Sequence, residues 1–238
     1  MTSMDLICLG VGKGATYVIK GDPSSAFVIR LDGQPKLLVD CGAGVVLSCF
    51  KHLGIVPNSI YITHNHMDHT GDLPIALGIT NGRPRILGHP SVLQIVKEHR
   101  LHESTLDVPP EKLADWIEPD GSGAIDIGDD FSIHPFQSVH SYTCYGFVLK
   151  RFGKDILGYS ADSDFDEVVY NQITQAPIAI VSGRDNGNSE HASFEEIEQF
   201  AKNVPQCSIW VIHYEKTDYS FSVQNVKFLH EGEIVTLA

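Results

Sequence analysis

Short apolar segments alternate with polar turns along the whole chain, a pattern that predicts many strands and a smaller number of helices. In the first half, strands are predicted at residues 6–9, 26–31, 36–39, 60–63 and 86–87. Helices are predicted near residues 45–53, from residue 73 to 78, and around residues 91–99. Glycine and proline residues stand between these segments, as expected of turns.

The second half has the same kind of order with an unrelated sequence. Strands are predicted at residues 125–134 and 146–159, each as a hairpin, and at residues 178–182 and 209–212. A helix at 193–202 separates the last two, and Ser193 with Glu196 forms a capping box at its start. Strands interleaved with helices in both halves predict sheets covered by helices, a layered α/β or α+β architecture.

The length of 238 residues fits one ordinary domain spanning 1–238, or two halves that share one core. No apolar run is long enough to span a membrane, and the N-terminus lacks the basic and apolar regions of a secretory signal. Five scattered cysteines without a CxxC motif fit buried thiols in a reducing compartment. We therefore expect a cytoplasmic protein with no membrane partner.

The formal net charge of −13 disfavours a large nucleic acid as partner. Binding a polyanion draws affinity from lysine and arginine, and here 17 such residues oppose 30 acidic ones. A small ligand enclosed around metal cations fits this balance better, because the cations supply a local positive field.

Three histidines and one aspartate lie within six consecutive positions, from His64 to His69, directly after an apolar strand. His64 and His66 can diverge around one ion, and Asp68 and His69 can reach a second ion nearby. Imidazoles and a carboxylate crowded in one loop gain little unless a cation organises them. The pattern is therefore typical of a metal site rather than of a polar surface loop.

Four donors in one loop do not complete two metal sites, so further donors are expected elsewhere. His140, Asp162 and His213 each follow an apolar strand, and strand ends at one sheet edge would present them to one crevice. Each alone is also compatible with a hydrogen-bonded structural residue. Together with the loop they make seven donors, enough for two ions that share a carboxylate.

This pattern resembles that of the metallo-β-lactamase-fold hydrolases, and its details are most similar to the ribonuclease Z branch. The run Asp40-Cys41-Gly42 resembles the DCGEG turn of that branch, with Ala43 in place of the glutamate. His140 followed by Tyr145-Gly146 resembles its H-x-x-x-x-YG strand, and His191-Ala192-Ser193 resembles its HST segment. The resemblance covers nearly the whole chain and implies a four-layer αββα sandwich and a homodimer.

The resemblance also implies how the donors divide between two divalent ions. One ion would take His64, His66 and His140, and the other would take Asp68, His69 and His213, with Asp162 as the bridge. Imidazole and carboxylate ligands suit zinc, and manganese also fits such nitrogen and oxygen donors.

Two further residues are candidates for supporting roles. Asp40 is a candidate acceptor that orients a ligand histidine, and a turn or helix-capping aspartate is the equal alternative. His191 lies outside the ligand set and, by the resemblance, is the general acid that protonates the leaving alkoxide of a phosphodiester. An exposed histidine beside a helix cap is the alternative for His191. Asp68 is expected to be a catalytic residue as well as a ligand.

One departure from the ribonuclease Z pattern concerns the size of the substrate. In that branch a long arm that grips tRNA is inserted between the third metal histidine and the bridging aspartate. Here His140 and Asp162 are 22 residues apart, with room for a single hairpin. Arm-less relatives include phosphodiesterases for small substrates such as cyclic nucleotides. The resemblance therefore implies a dinuclear phosphodiesterase for a small nucleotide-like substrate, which a metal-bridging hydroxide attacks.

Other interpretations stay open at the level of the sequence. A ribonuclease Z-type nuclease that processes RNA 3′ ends would use the same scaffold, and so would a lactonase or thioester hydrolase, which needs no leaving-group acid at His191. From a different class, the chain could be a non-catalytic metal-binding protein. Structural zinc sites, however, are usually closed by four protein ligands, whereas this donor set leaves coordination positions open.

Overall fold

The computed structural model describes residues 3–101 and 108–237, and most of these residues belong to two β-sheets and the helices beside them. The strands are β1 (Met4–Gly10), β2 (Ala26–Leu31), β3 (Gln34–Val39), β4 (Ser59–Tyr61), β5 (Arg85–Leu87), β6 (Asp115–Ile117), β7 (Ile125–Gly128), β8 (Phe131–Gln137), β9 (Tyr145–Arg151), β10 (Lys154–Tyr159), β11 (Ile178–Arg184), β12 (Ala192–Ser193), β13 (Ser208–Ile212), β14 (Val226–Phe228) and β15 (Ile234–Thr236).

The helices are α1 (Val45–Leu53), α2 (Met67–Thr70), α3 (Leu73–Ile79), α4 (Pro90–Ile95), α5 (Pro110–Leu113), α6 (Glu167–Ile173) and α7 (Phe194–Ala201). A 3₁₀ helix covers Ala15–Lys20, and a π-helical turn, Val96–Arg100, continues α4. Within the described part of the chain, none of these helices has both the length and the apolar character needed to cross a bilayer.

The first compact unit contains the chain up to Glu118 and the segment from His230 onward. Its sheet has the order β15-β1-β2-β3-β4-β5-β6, antiparallel from β15 to β3 and parallel from β3 to β6. Parallel neighbours have their carboxyl ends at the same edge, so the loops after β3, β4 and β5 emerge side by side. The histidine-rich loop follows β4 at this edge.

The second unit, Pro119–Leu229, contains a sheet of order β14-β13-β11-β10-β9-β8-β7, with the short β12 paired to β11. Strand β9 is antiparallel to β8 and β10, whereas β10, β11, β13 and β14 are parallel. The carboxyl ends of β10, β11 and β13 therefore share one edge, where Asp162 follows β10 and His213 follows β13.

The main strands and helices predicted from the sequence are confirmed, including both hairpins and the capping box of α7. The helix expected around residues 91–99 instead divides into α4 and the π-helical turn. The sequence analysis missed β6, β14 and β15, because these three-residue strands lie at sheet edges and are mostly exposed or half-buried, so they lack the apolar run that marks β4 and β5. That residues 1–238 form one domain stays a prediction.

A carboxylate on α7 anchors the long segment between β13 and β14. Glu198 accepts hydrogen bonds from the Tyr219 hydroxyl at 2.7 Å, from the Ser222 backbone N–H at 2.9 Å, and from the Ser222 hydroxyl. Hydrogen bonds from Ser222 and Tyr219 lower the pKa of Glu198 below its ordinary value of 4.5. The ionised carboxylate therefore stabilises the folded state.

We expect Glu198→Gln to lower the free energy of unfolding by roughly 1–3 kcal/mol at pH 7, because charge-assisted hydrogen bonds become neutral ones. A pKa that is lower in the folded than in the unfolded state contributes stability above the unfolded pKa, and this stability is lost as the pH falls. Urea unfolding should therefore show a smaller difference between variant and wild type near pH 3. Glu195→Gln, an exposed position on the same helix, is the control. Equal midpoints for Glu198→Gln and wild type at pH 7 would contradict the prediction.

Candidate metal centre

Two histidines of the first unit are fixed through their Nδ1 atoms. His64 and His69 are completely buried, and their ring centroids are 4.1 Å apart. His64 Nδ1 lies 3.0 Å from the Thr63 hydroxyl, and His69 Nδ1 lies 2.8 Å from an oxygen of Asp40. With Nδ1 engaged in this way, Nε2 is the ring atom through which each histidine would bind a metal.

The carboxylate of Asp40 links these contacts. Asp40 follows β3, has a backbone φ of 62°, and accepts hydrogen bonds from the backbone N–H and the hydroxyl of Thr63 as well as from His69. Burial raises the pKa of Asp40, and the hydrogen bonds from His69 and Thr63 oppose that rise. Helix α1 is capped by a different carboxylate, because the Val46 N–H donates to Asp72 at 3.1 Å. The geometry of Asp40 is therefore that of an acceptor that orients a histidine.

His66 and Asp68 complete the donor set of this unit. The ligand atoms of His64 and His66 lie within 4.8 Å of each other, as do those of Asp68 and His69. Gly42 lets the loop approach this closely, because a Cβ at that position would lie 1.7 Å from the Asp68 carbonyl oxygen. Any side chain at residue 42 would collide with the loop, which explains why the Asp40-Cys41-Gly42 turn has glycine at this position.

The sequence analysis missed a residue that holds the loop from outside. Arg100, at the end of the π-helical turn, donates from Nε to the Thr70 hydroxyl at 2.8 Å and from Nη2 to the Asn65 carbonyl at 3.0 Å. The Thr70 hydroxyl in turn donates to the His66 carbonyl at 2.9 Å. A lone arginine 30 residues downstream of Thr70 carries no sequence signal for such a role.

The second unit brings Asp162 and His213 together at its sheet edge. Both are buried, and Asp162 Oδ2 lies 3.4 Å from His213 Nε2. His140 is less buried and lies in the bend after β8, where its Nδ1 accepts a hydrogen bond from the Tyr142 N–H at 3.2 Å. Its ring centroid is 6.4 Å from that of His191, so the three donors and His191 form one group.

His191 is buried rather than exposed beside a helix cap. Its ring stacks on His213 with centroids 4.5 Å apart, and its Nε2 lies 3.9 Å from Asp162 Oδ2. Arg184 Nη2 lies 2.8 Å from the same Nε2, so that nitrogen is the acceptor and the ring is neutral. Burial is the main cause that lowers the pKa of His191 to about 3. The negative charge of Asp162 acts against this lowering of the pKa, whereas His213 and Arg184 add to it. Its role as a general acid stays a prediction.

The chemistry of each donor set fits a divalent metal. Buried or half-buried imidazoles, oriented by hydrogen bonds and accompanied by a carboxylate, are the ligands that zinc takes in proteins. By contrast, a cavity of about 560 Å³ beside α7 is lined by Glu167, Glu195 and Glu196. Its negative charge does not suit an anionic phosphodiester, and no predicted site residue is among those that line it.

A protein-family model described as Anti-Pycsar protein Apyc1 matches residues 4–235. The chain belongs to this family. The Apyc1 family is one of metallo-β-lactamase-fold hydrolases, so the resemblance inferred from the sequence is confirmed. A sequence search of the curated proteins finds no match.

Solved structures similar to this Apyc1-family chain show the same fold. The metallo-β-lactamase-fold protein YhfI from Bacillus subtilis has a TM-score of 0.75 and 19 % identity, covering 98 % of this chain and 99 % of its own. The short form of human tRNase Z has a TM-score of 0.69 and 19 % identity, covering 98 % of this chain and 99 % of its own. Unliganded yeast PDE1 has a TM-score of 0.72 and 13 % identity, covering 100 % of both chains. The α/β metallo-β-lactamase fold is therefore confirmed.

We expect Asp40→Asn to weaken zinc binding about 10- to 100-fold, because His69 loses the anionic acceptor that fixes its ring. Asparagine tolerates the left-handed backbone at this position, so the main change is the charge. Competition with a chromophoric chelator measures the affinity. Asp115→Asn, which affects only an exposed ion pair with Arg83, is the control. Unchanged zinc affinity in Asp40→Asn would refute the orienting role.

Proposed function

We propose that this Apyc1-family chain is a dinuclear metal-dependent phosphodiesterase that hydrolyses a small nucleotide-like phosphodiester, such as a cyclic nucleotide. Family membership supports the degradation of a cyclic nucleotide, and the donor sets of both units support metal dependence. The observation that carries the substrate size is the interval from His140 to Asp162, which contains only the hairpin of β9 and β10. No residue of that fully described interval belongs to an arm that could grip a folded RNA.

The proposed ligands are divided as the resemblance implies. One ion takes His64, His66 and His140, and the other takes Asp68, His69 and His213, with Asp162 shared. Zinc is the proposed metal and manganese the second choice, because both accept nitrogen and oxygen donors. When bound, the pair would supply an activated water and polarise the phosphoryl oxygens.

The residues of the chain then have separate tasks. Asp40 and Thr63 keep His69 and His64 in the orientation that presents Nε2. His191 is proposed to give a proton to the leaving alkoxide. An anionic phosphodiester beside the imidazole would raise its pKa, against the effect of burial, and so favour the protonated form that a general acid requires.

The substrate proposal is consistent with the overall charge. An acidic chain with a net charge of −13 repels a long polyanion, whereas a small phosphodiester meets only the local field of the site. A large nucleic acid is therefore not proposed as a partner.

We further propose a homodimer, which the apolar surface of the first unit supports. Ile19 on the 3₁₀ helix is 85 % exposed, Leu47 on α1 is 74 % exposed, and Phe50 one turn further is 48 % exposed. Val18 lies against Gly44, at the start of the same helix. Exposed apolar side chains grouped in this way are typical of a protein interface.

Light scattering should give twice the chain mass of 26.2 kDa for the wild type, and Leu47→Glu should lower the apparent mass because it places a charge in the interface. Lys154→Glu, at an exposed position on β10 of the second unit, introduces a negative charge outside this surface and serves as the control. A wild type of single-chain mass at micromolar concentration would exclude the dimer.

The metal-loaded protein should hydrolyse cyclic nucleotides and bis(p-nitrophenyl) phosphate, and a chelator should abolish the activity until zinc or manganese is restored. His191→Ala should lower turnover of a cyclic nucleotide by about 10²- to 10⁴-fold, because its alkoxide leaving group needs a proton. The loss on bis(p-nitrophenyl) phosphate should be much smaller, because p-nitrophenolate leaves without protonation. Steady-state rates on both substrates provide the measurement.

Asp68→Ala is the matched variant, because loss of a metal ligand should reduce both rates together. If the wild type hydrolyses neither substrate after metal loading, the proposed function fails. If His191→Ala loses both activities equally, the general-acid role fails. Full activity of His191→Ala on esters, without phosphodiesterase activity of the wild type, would point to the lactonase or thioester hydrolase instead.

A further inference from the structure

Arg184 is a half-buried cation with no carboxylate within ion-pair distance among the described residues. It ends β11, and its Nη2 donates to a neutral ring nitrogen of His191 at 2.8 Å. Its Nε–H is buried, and no acceptor lies within hydrogen-bond distance in the part of the chain that the structure describes. A guanidinium stays protonated in proteins, so a buried and unsatisfied donor on this cation is costly unless an anion comes to it.

The buried Nε of Arg151 also has no hydrogen-bond acceptor among the described residues, so what distinguishes Arg184 from the other half-buried cations of the second unit is the partner of its charge. Lys150 forms an ion pair with Asp155 at 2.8 Å. Arg151 lies over the rings of Phe131 and Phe152, at 4.8 and 5.2 Å from their centroids. Among the described residues, Arg184 forms no ion pair with a carboxylate and lies over no Phe, Tyr or Trp ring, and its partner is the neutral imidazole of His191. Its positive charge is therefore available for an anionic ligand.

The position of Arg184 in the fold indicates which kind of anion it would bind. Its partner His191 stacks on His213, and the same Nε2 that accepts from Arg184 lies 3.9 Å from Asp162 Oδ2. The guanidinium of Arg184 is therefore separated from the proposed metal ligands Asp162 and His213 only by the imidazole ring of His191. It lies at the edge of the sheet where the parallel strands have their carboxyl ends. A ligand held there by Arg184 would have its charged group beside those ligands.

We propose that Arg184 binds a non-bridging phosphate oxygen of the phosphodiester substrate and of its phosphate monoester product. This inference rests on the proposed function, because it names the residue that receives the anion of that substrate. A guanidinium suits phosphate through its planar N–H groups. The hydrogen bond to His191 holds the guanidinium in place before the ligand arrives, which reduces the entropy lost on binding. In this arrangement Arg184 is a fixed positive charge that the second unit offers to the phosphate.

Binding of inorganic phosphate to the zinc-loaded chain, measured by calorimetry, tests the proposal without relying on turnover. Arg184→Gln should weaken phosphate affinity about 10- to 100-fold, the effect of losing a charge-assisted hydrogen bond. Arg184→Lys keeps the charge without the planar group and should give an intermediate affinity. Arg151→Gln removes the same charge from a position outside the proposed site and should bind phosphate as the wild type does.

Thermal unfolding of each variant shows whether the fold is retained. If Arg184→Gln folds and binds phosphate with wild-type affinity, or if the wild type binds no phosphate, the proposal is overturned. If Arg184→Gln does not fold, the affinity of Arg184→Lys decides, and an unchanged value overturns the proposal. A wild type that binds phosphate through Arg184 but hydrolyses no phosphodiester would sink the proposed function alone. If the wild type hydrolyses the phosphodiester and Arg184→Gln has the same KM, the proposed role of Arg184 fails while the proposed function stands.

Discussion

The completely buried carboxylate of Asp40 determines the shape of the first donor set. Removing a carboxylate from water is expensive unless donors surround it, and here the backbone and hydroxyl of Thr63 and the Nδ1 of His69 supply them. The same bonds fix the tautomer of His69 and, through the Thr63 hydroxyl, the ring of His64. The orientation of two potential ligands thus follows from satisfying one buried charge.

Backbone conformation at the strand ends is a second constraint. Asp40, Ala161 and His213 have φ values of 62°, 54° and 64°, in the left-handed region that residues other than glycine seldom adopt. They follow β3, β10 and β13, and each is a proposed site residue or precedes one. Such conformations cost on the order of 1–3 kcal/mol each and persist when the surroundings determine them. Here the surroundings are buried strands whose chains must turn sharply at the edge.

The distribution of charge links the site to its substrate. An acidic chain has to concentrate positive charge locally to hold an anion, and in the second unit Arg184 is placed beside His191 for that purpose. In the proposed function the two residues in contact have separate tasks: Arg184 attracts the phosphate, and His191 gives a proton to the leaving alkoxide. Arg100 in the first unit uses its own guanidinium differently, to hold the loop through Thr70 and Asn65.

The sequence by itself determined the pattern of strands and helices, because that pattern follows from the local periodicity of apolar residues. It also determined the metal chemistry of residues 64–69 and the donors after β8, β10 and β13, because these follow from the residue types at the ends of strands. The spacing from His140 to Asp162 also fixed the absence of an arm. Only the tertiary structure decided that Asp40 holds His69 while Asp72 caps α1. It also decided that Arg100 donates hydrogen bonds to Thr70 and Asn65 whereas Arg184 donates one to His191, a difference that their sequence neighbourhoods do not show. Those roles depend on which side chains meet across strands that are distant in sequence, and on burial, which turns an ordinary polar contact into one that fixes charge and geometry.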